Sequence, residues 1–522
     1  MITVCLNKED FQYDIHSLVK AFYPREEVKV FADREKIRRL EQKCTPFFHL
    51  EISYLEENGS GEKDRKNQIE MALYLPPMEQ ESVMEEGSGR HKGLAYEAGG
   101  YIQAAQAAVE TDFSDRKMTK DRLKQSLYQM LSEYTRQKLP WGSLTGIRPV
   151  KISMSMLEQG RTQEEIRTFM ADTYFASEQK INLCLEIAKK EQEMLSQVDY
   201  KEGYSLYVGI PFCPSICSYC SFSSSPISMW QEQVDKYLDA LEQEIDFAAS
   251  AFANKKLNTI YIGGGTPTTL SPQQLERLLI KIEASVSFSD LAEYTVEAGR
   301  PDSITREKLQ VLREHGISRI SINPQTMKQE TLRIIGRRHT VAQTNESFWL
   351  ARELGFDNIN MDLILGLPEE TLEDVRNTME QMKGLSPDNL TVHSLAIKRA
   401  ARFQMFSEDY QGMQMSNSWE MIDLTERYAR ELGMSPYYLY RQKNIAGNFE
   451  NVGYARPGKA GLYNVLMMEE KQDIAALGAG SISKRVYKDG RIERCENVKN
   501  VAQYMERIHE MLERKEKLFG GR

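Results

Sequence analysis

The stretch "YVGIPFCPSICSYCSF" (207–222) places Cys213, Cys217 and Cys220 within eight residues. The whole 522-residue chain has 7 cysteines, so three in one loop call for a chemical reason. Three close thiols can hold a zinc ion, form a disulfide or grip an iron–sulfur cluster. Composition decides part of this. A 522-residue chain with 41% hydrophobic content has material for more than one domain. A formal charge of −9 gives no reason to expect nucleic acid as the main partner. No apolar run approaches the roughly 18 residues that a membrane span needs. The opening "MITVCLNKEDF" turns acidic and polar at once, unlike a signal peptide. The chain therefore reads as soluble and cytoplasmic, where thiols stay reduced and disulfides are rare.

Zinc is the stronger rival to a cluster. Structural zinc takes four ligands, commonly from two separated pairs, and this triplet has no second pair. Cys5, Cys44, Cys184 and Cys495 are scattered singly and read as ordinary buried small hydrophobes. His339 or His393 offers a fourth ligand in principle, although a lone histidine is more often a surface or core residue. Three thiolates suit a four-iron cluster that leaves one iron open to a ligand. The spacing C-x3-C-x2-C, with Tyr219 before the last cysteine, resembles the signature of the radical S-adenosylmethionine (SAM) enzymes. The surroundings of the triplet have to decide.

The triplet ends a strand-like run, "YSLYVGIPF" (204–212). Five more apolar, β-branched runs follow: "LNTIYIGGGTPT" (257–268), "AEYTVEAGRPD" (292–302), "ISRISINPQT" (317–326), "FDNINMDLILGLPEE" (356–370) and "DNLTVHSLAI" (388–397). Helix-patterned pieces such as "QQLERLLIKIEAS" and "REKLQVLREHG" lie between them, the second closed by Gly316 in a C-cap position. Strands alternating with helices imply parallel βα units, and six such units make a partial barrel open on one side. Ligands collect at the C-terminal ends of barrel strands, and the unusual residues fall there. "GGGTPT" (263–268) lets a backbone approach a ligand closely; the plainer reading is a strand-to-helix turn, with Thr269 or Ser271 capping the next helix. Glu297 and Asp362 are carboxylates among apolar strand residues, costly unless paired, so each should face the barrel mouth. Gln325 ends the fourth strand and Arg337 opens the helical piece after it. For Arg337 and Arg338 a solvated basic face is the plainer expectation.

"YVGIPFC…C…YC", "GGGTPT", "EAGRPD", "SINPQT…GRRHT" and "MDLILGLPEET" together resemble the oxygen-independent coproporphyrinogen III oxidase (dehydrogenase) family of radical SAM enzymes. The flanking "LPWGSLTGIRPVKI" (139–152) and "PYYLYRQKNIAGNFENVGYARPG" (436–458) are similar to its HemZ branch. The resemblance implies an α/β fold: a partial (β/α)6 radical SAM barrel with an N-terminal α+β and helical region and a mixed C-terminal domain. It implies a [4Fe–4S] cluster on Cys213, Cys217 and Cys220, and SAM contacts from Tyr207, Tyr219, Gly264, Gly265, Thr266, Glu297, Gln325, Arg337, Asp362 and Ala396. The implied reaction converts two propionates of coproporphyrinogen III to vinyls, giving protoporphyrinogen IX in heme biosynthesis. Its partners are a small tetrapyrrole substrate, a reductant and an electron acceptor. The chain departs from the family pattern in two places: Gly209 stands where members read histidine, and Phe222 where they carry a further cysteine. Those departures leave open a tetrapyrrole methyltransferase or ring-opening enzyme, or a heme chaperone. The chaperone relatives show a His-Asn-x-x-Tyr-Trp motif, and the matching "GLYNVLMM" (461–468) has neither histidine nor tryptophan.

A substrate with four propionates needs cations around an apolar floor. "YYLYRQKN" (437–444) offers Arg441 and Lys443, although Tyr-Leu-Tyr at period two is also an ordinary half-buried strand; "ALGAGSIS" (476–483) offers a small-residue loop. The rest divides into a small α+β domain with a loop (1–115), a helical segment (116–200), the barrel (201–400) and a C-terminal segment expected to cap the substrate (401–522). The Gly/Glu-rich stretch from Pro76 to Gly93 reads as a linker. The terminal "VAQYMERIHEMLERKEKL" (501–518) reads as one helix with a solvated charged face.

Overall fold

The computed structural model describes residues 1–24, 26–56, 67–76, 101–396, 413, 415, 417–442 and 449–520. The linker expected after Pro76 lies outside the described residues, as does Lys443. The chain forms two compact units. One comprises Met1–Pro149, Ser155–Cys184 and Gln442–Phe449; the other comprises Val150–Met154, Leu185–Arg441 and Glu450–Arg522.

The first unit holds a five-stranded sheet of β1 (Ile2–Leu6), β2 (Val28–Phe31), β3 (Phe48–Leu55), β4 (Gln68–Leu75) and β5 (Ile102–Glu110), ordered β2-β1-β3-β4-β5. β1 runs parallel to β2 and β3, and the remaining pairs are antiparallel. The helix Gln12–Phe22 connects β1 to β2 and buries Ile15, Leu18, Val19 and Phe22 in a core shared with Ile2, Val4, Leu50 and Met71. β5 was not expected from the sequence. Its "IQAAQAAVE" alternates correctly, but alanine has little strand preference, and the ladder with β4 supplies the order.

The second unit is built on an eleven-stranded sheet. Six strands run parallel in chain order: β6 (Gly203–Ile210), β7 (Lys256–Gly264), β8 (Glu293–Gly299), β9 (Arg319–Ile322), β10 (Ile359–Leu365) and β11 (Asn389–Ser394). They are the six runs expected, with helices such as Pro272–Ser285 and Arg306–Glu314 between them. Ser271 caps the first of these with Gln274 in a reciprocal capping box, and Gly316 follows the second at φ +70°. β12 (Ser435–Arg441) and β13 (Glu450–Ala455) add antiparallel to the β11 edge. β14 (Asp473–Leu477) lies parallel to β6 on the other edge, followed by β15 (Ile482–Val486) and β16 (Ile492–Glu496). The order β12-β13-β11-β10-β9-β8-β7-β6-β14-β15-β16 leaves two free edges, so the barrel is partial. The C-terminal stretch thus extends both edges of the barrel sheet.

Strands buried on both sides read as apolar runs. Leu206, Val208 and Ile210 are fully buried, whereas Tyr207 between them is half-buried on the other face. Tyr261, Glu297, Asp362 and His393 take the equivalent half-buried position on their own strands, and together they define the lumen. No described helix is long and apolar enough to cross a membrane. Two expectations need correction. The terminal helix is two helices, Val501–Glu506 and Ile508–Phe519, and its Lys515 is buried against Glu244 rather than solvated. Cys44 is exposed, whereas Cys5, Cys184 and Cys495 are buried as expected.

Candidate radical SAM site

The chain leaves β6 through Pro211, and Phe212–Cys213 pairs with Ser225–Pro226 to close the cysteine loop at its base. Fully buried Phe212 packs edge-on against Tyr237 and anchors that base. The loop is also held from the segment after β9: Ser218 N–H donates to the Ile335 carbonyl (3.0 Å), and Ser215 Oγ to the Gly336 carbonyl (3.0 Å). Each sulfur has a polar partner. Thr266 Oγ1 donates to Cys213 Sγ (3.5 Å), Arg300 Nη1 to Cys217 Sγ (3.8 Å), and Ser224 Oγ lies 3.9 Å from Cys220 Sγ. Burial pushes the Cys213 thiol up to about 11 and raises that of Cys220, so iron binding must displace protons there.

The donor set fits a cluster better than a single ion. Zinc–thiolate bonds of about 2.3 Å would gather sulfurs to within about 4 Å of one another. Among the described residues no three Cys, His, Asp or Glu side chains are arranged to hold one metal ion. A four-iron cube puts each thiolate on a different iron and spaces the sulfurs apart.

The loop after β7 is stitched to the cysteine strand. Gly265 N–H donates to the Ile210 carbonyl and Thr266 N–H to that of Phe212, both at 2.7 Å. A Cβ on Gly265 would lie 2.5 Å from the Phe212 oxygen, so this glycine is demanded by chain-to-chain approach. Gly264 ends the strand at φ +105°. In the lumen, Tyr207, Tyr261 and Tyr463 form a stack, with Tyr261 and Tyr463 centroids 4.5 Å apart. Tyr261 donates to Glu297 Oε1 at 2.5 Å. Burial pushes the Glu297 carboxyl up to about 7, against the lowering effect of that hydrogen bond. Burial would also raise Asp362, but the neighbouring His393 and the hydrogen bond from Asn360 outweigh it and hold this carboxyl below its usual range. His393 Nε2 lies 3.8 Å from Asp362 Oδ2, Asn360 donates to Oδ1 (2.8 Å), and Tyr440 Oη is 3.1 Å from His393 Nδ1.

Gln325 adopts φ +69°, in the left-handed region uncommon for glutamine, and is clamped by backbone bonds to Asp362 and Ile364. Its Oε1 is buried with no partner among the described residues. A buried acceptor without a protein partner is available to a ligand. Arg337 is 7% exposed and donates to the Asn323 carbonyl and to Tyr219 Oη (3.0 Å), so it is not a solvated cation, although Arg338 is exposed. It follows the helix Gln329–Ile334 rather than opening one. Ala396 is partly buried, two residues beyond β11.

Arg441 is placed differently. Tyr438 and Tyr440 stack on one face of β12, where Tyr440 meets His393. Arg441, the next residue, points to the opposite face; it is 4% exposed and stands opposite Glu450 in the ladder. It is not brought into the lumen. His339 is fully buried away from solvent and does not join the thiols as a ligand. Sequence reasoning missed Tyr261, Tyr440, Tyr463 and Arg300, and it weighed His393 only as a metal ligand, not as the partner of Asp362. The rule that flagged Glu297 and Asp362, a polar residue inside an apolar strand, would also have flagged His393 in "LTVHS".

The radical SAM superfamily pattern matches residues 207–382. An oxygen-independent coproporphyrinogen-III oxidase-like protein HemZ of Bacillus subtilis (strain 168) is 39% identical over 406 residues, 76% of this chain and 81% of that protein. The heme chaperone HemW of the same organism is 42% identical over 195 residues, 37% of this chain and 51% of its own. Among solved structures, the coproporphyrinogen III oxidase HemN of Escherichia coli, a radical SAM enzyme, is 26% identical with a TM-score of 0.49, covering 62% of this chain and 73% of that one. Radical SAM enzymes use a [4Fe–4S] cluster and S-adenosylmethionine. The chain belongs to the radical SAM coproporphyrinogen oxidase family, in its HemZ branch.

Proposed function

We propose that this chain carries out the oxidative decarboxylation of coproporphyrinogen III to protoporphyrinogen IX. The reading rests on one observation above the others. A thiol loop with a polar partner at every sulfur sits at the strand ends of a parallel barrel, beside a lumen lined by tyrosines and carboxylates. Cys213, Cys217 and Cys220 hold three irons of the cluster, which supplies the electron for SAM cleavage. Glu297, Asp362 and the unpartnered Gln325 Oε1 accept from the amine and ribose hydroxyls of SAM, while Tyr207, Tyr219, Gly264, Gly265, Thr266, Arg337 and Ala396 shape its bed. The half-buried Tyr261 and Tyr440 line the lumen with aromatic surface beside a macrocycle, and "GLYNVLMM" lacks the histidine of a heme ligand. Arg441, on the outer face of its strand, would act on propionates only if β12 rearranged; Arg441→Ala is therefore expected to leave KM for the tetrapyrrole nearly unchanged.

The test is mass spectrometry of products from anaerobically reconstituted protein supplied with SAM, a reductant, an electron acceptor and coproporphyrinogen III. Protoporphyrinogen IX and CO2 formed in step with 5′-deoxyadenosine support the proposal. A methylated or ring-opened tetrapyrrole contradicts it, as does tight heme binding with coproporphyrinogen left intact.

A further inference from the structure

Arg300 follows Gly299 at the C-terminal end of β8 and is 3% exposed. A guanidinium buried this deeply needs its donors used. Nη1 donates to the Ser215 carbonyl (3.1 Å) and to Ser215 Oγ (2.8 Å), both inside the cysteine loop, and to Cys217 Sγ (3.8 Å). Nε and Nη2 donate to the two carboxylate oxygens of Asp302 at 3.0 and 2.7 Å. One edge of the planar fork is thus fixed by Asp302, and the other is aimed at the middle cysteine. Cys213 and Cys220 take neutral hydroxyls from Thr266 and Ser224 instead. The charge is therefore concentrated at Cys217, the most buried of the three thiols, where Arg337 adds a second cation.

We propose that Arg300, oriented by Asp302, is a positioning residue that sets the reduction potential of the cluster held at Cys217. The proposal rests on the cluster reading above. A low-potential one-electron donor adds a negative charge to the cluster, and a fixed cation bonded to one of its sulfurs stabilises that reduced form. With Arg300 and Cys217 both buried, the effect is screened less than it would be at a surface. Asp302 opposes it by offsetting part of the charge, while its bidentate clamp keeps the guanidinium from turning away. Lysine retains the charge but loses the planar fork, so it should do part of the work only.

The experiment is a redox titration followed by electron paramagnetic resonance on the full, anaerobically reconstituted chain, with iron content and circular dichroism measured on each sample. Arg300→Gln should keep about four irons and move the midpoint negative by about 59 mV, a tenfold fall in the reduced-to-oxidised ratio at fixed potential. Asp302→Asn should move it in the positive direction, and Arg300→Lys should fall between wild type and Arg300→Gln. An unmoved midpoint in an iron-replete Arg300→Gln protein overturns the proposal. Should that variant lose its iron, Asp302→Asn decides: a positive shift supports the assignment and no shift overturns it. A wild-type protein without a four-iron signal overturns the cluster reading itself, whereas a normal wild-type signal with unmoved variants overturns the role of Arg300 alone.

Discussion

Glu297 and Asp362 face one lumen from β8 and β10, yet their surroundings drive their protonation apart. Glu297 has a neutral phenol for a partner and sits at about 7; Asp362 has an imidazole and stays ionised. If both accept from SAM, Glu297→Gln and Asp362→Asn should each weaken SAM binding by about 1.5–3 kcal/mol, the scale of a hydrogen bond to a charged group. Calorimetry on protein with an unchanged circular dichroism spectrum checks this, and unchanged affinity would mark them as structural carboxylates. The two differ in pH response. The raised carboxyl of Glu297 gains its charge as pH rises through about 7, so SAM affinity should rise across pH 6–8 in the wild type and flatten in Glu297→Gln. Stability runs the other way. Between the ordinary carboxyl range and about 7 the folded state binds the extra proton, so this residue's contribution to stability falls as pH rises through that window. A denaturation series on the SAM-free protein should show that slope in wild type and lose it in Glu297→Gln.

The turns that carry the site are fixed by backbone contact. A Cβ on Gly478, at φ +93°, would lie 2.4 Å from the Gly209 oxygen, so the loop after β14 rests directly on β6. Gly209 packs tightly as well: a Cβ there would meet the Leu477 oxygen at 3.0 Å. Gly478→Ala and Gly265→Ala should each cost about 1–3 kcal/mol, the range for overpacking a tight contact, read as a lowered denaturation midpoint. Gly265→Ala should also impair iron loading, because it displaces the Phe212 carbonyl beside Cys213. Much of this level was legible beforehand. The six strands, the Ser271 cap and the Gly316 stop follow from local patterns that the tertiary fold does not override. β5 and the break at Arg507 were not legible, since one depends on its partner strand and the other on how two helices settle against neighbours. In the site, the cysteines and lumen carboxylates stood out because their chemistry is costly where they are. Tyr261 and Tyr463 look like ordinary core aromatics until the barrel closes, and Arg337 looks like a surface cation until its two acceptors are seen.

At the scale of the second unit, one buried polar network joins the barrel to its C-terminal helices. Glu244 accepts from Gly478 N–H (2.6 Å), Tyr504 Oη (2.6 Å), Asn497 Nδ2 (2.9 Å) and the Lys515 ammonium, with Glu244 and Lys515 at 0% and 1% exposure. Removing one partner leaves a buried charge unpaired, so Lys515→Met should cost about 3–5 kcal/mol, and Glu244→Gln added to it should recover part of that loss. Urea denaturation of the single and double variants measures both. This network braces the loop that rests on β6, and through β6 the cysteine loop, which makes the C-terminal helices part of the scaffold of the site. The most direct measurement of the central claim is the 5′-deoxyadenosine released from SAM per chain, with iron content alongside, in wild type and in the Cys213→Ala, Cys217→Ala and Cys220→Ala variants. The account predicts about four irons per wild-type chain and nucleoside release that each substitution abolishes in otherwise folded protein, with Cys44→Ala unaffected. Stoichiometric zinc in the wild type, or nucleoside release that survives loss of any of the three thiols, would contradict it.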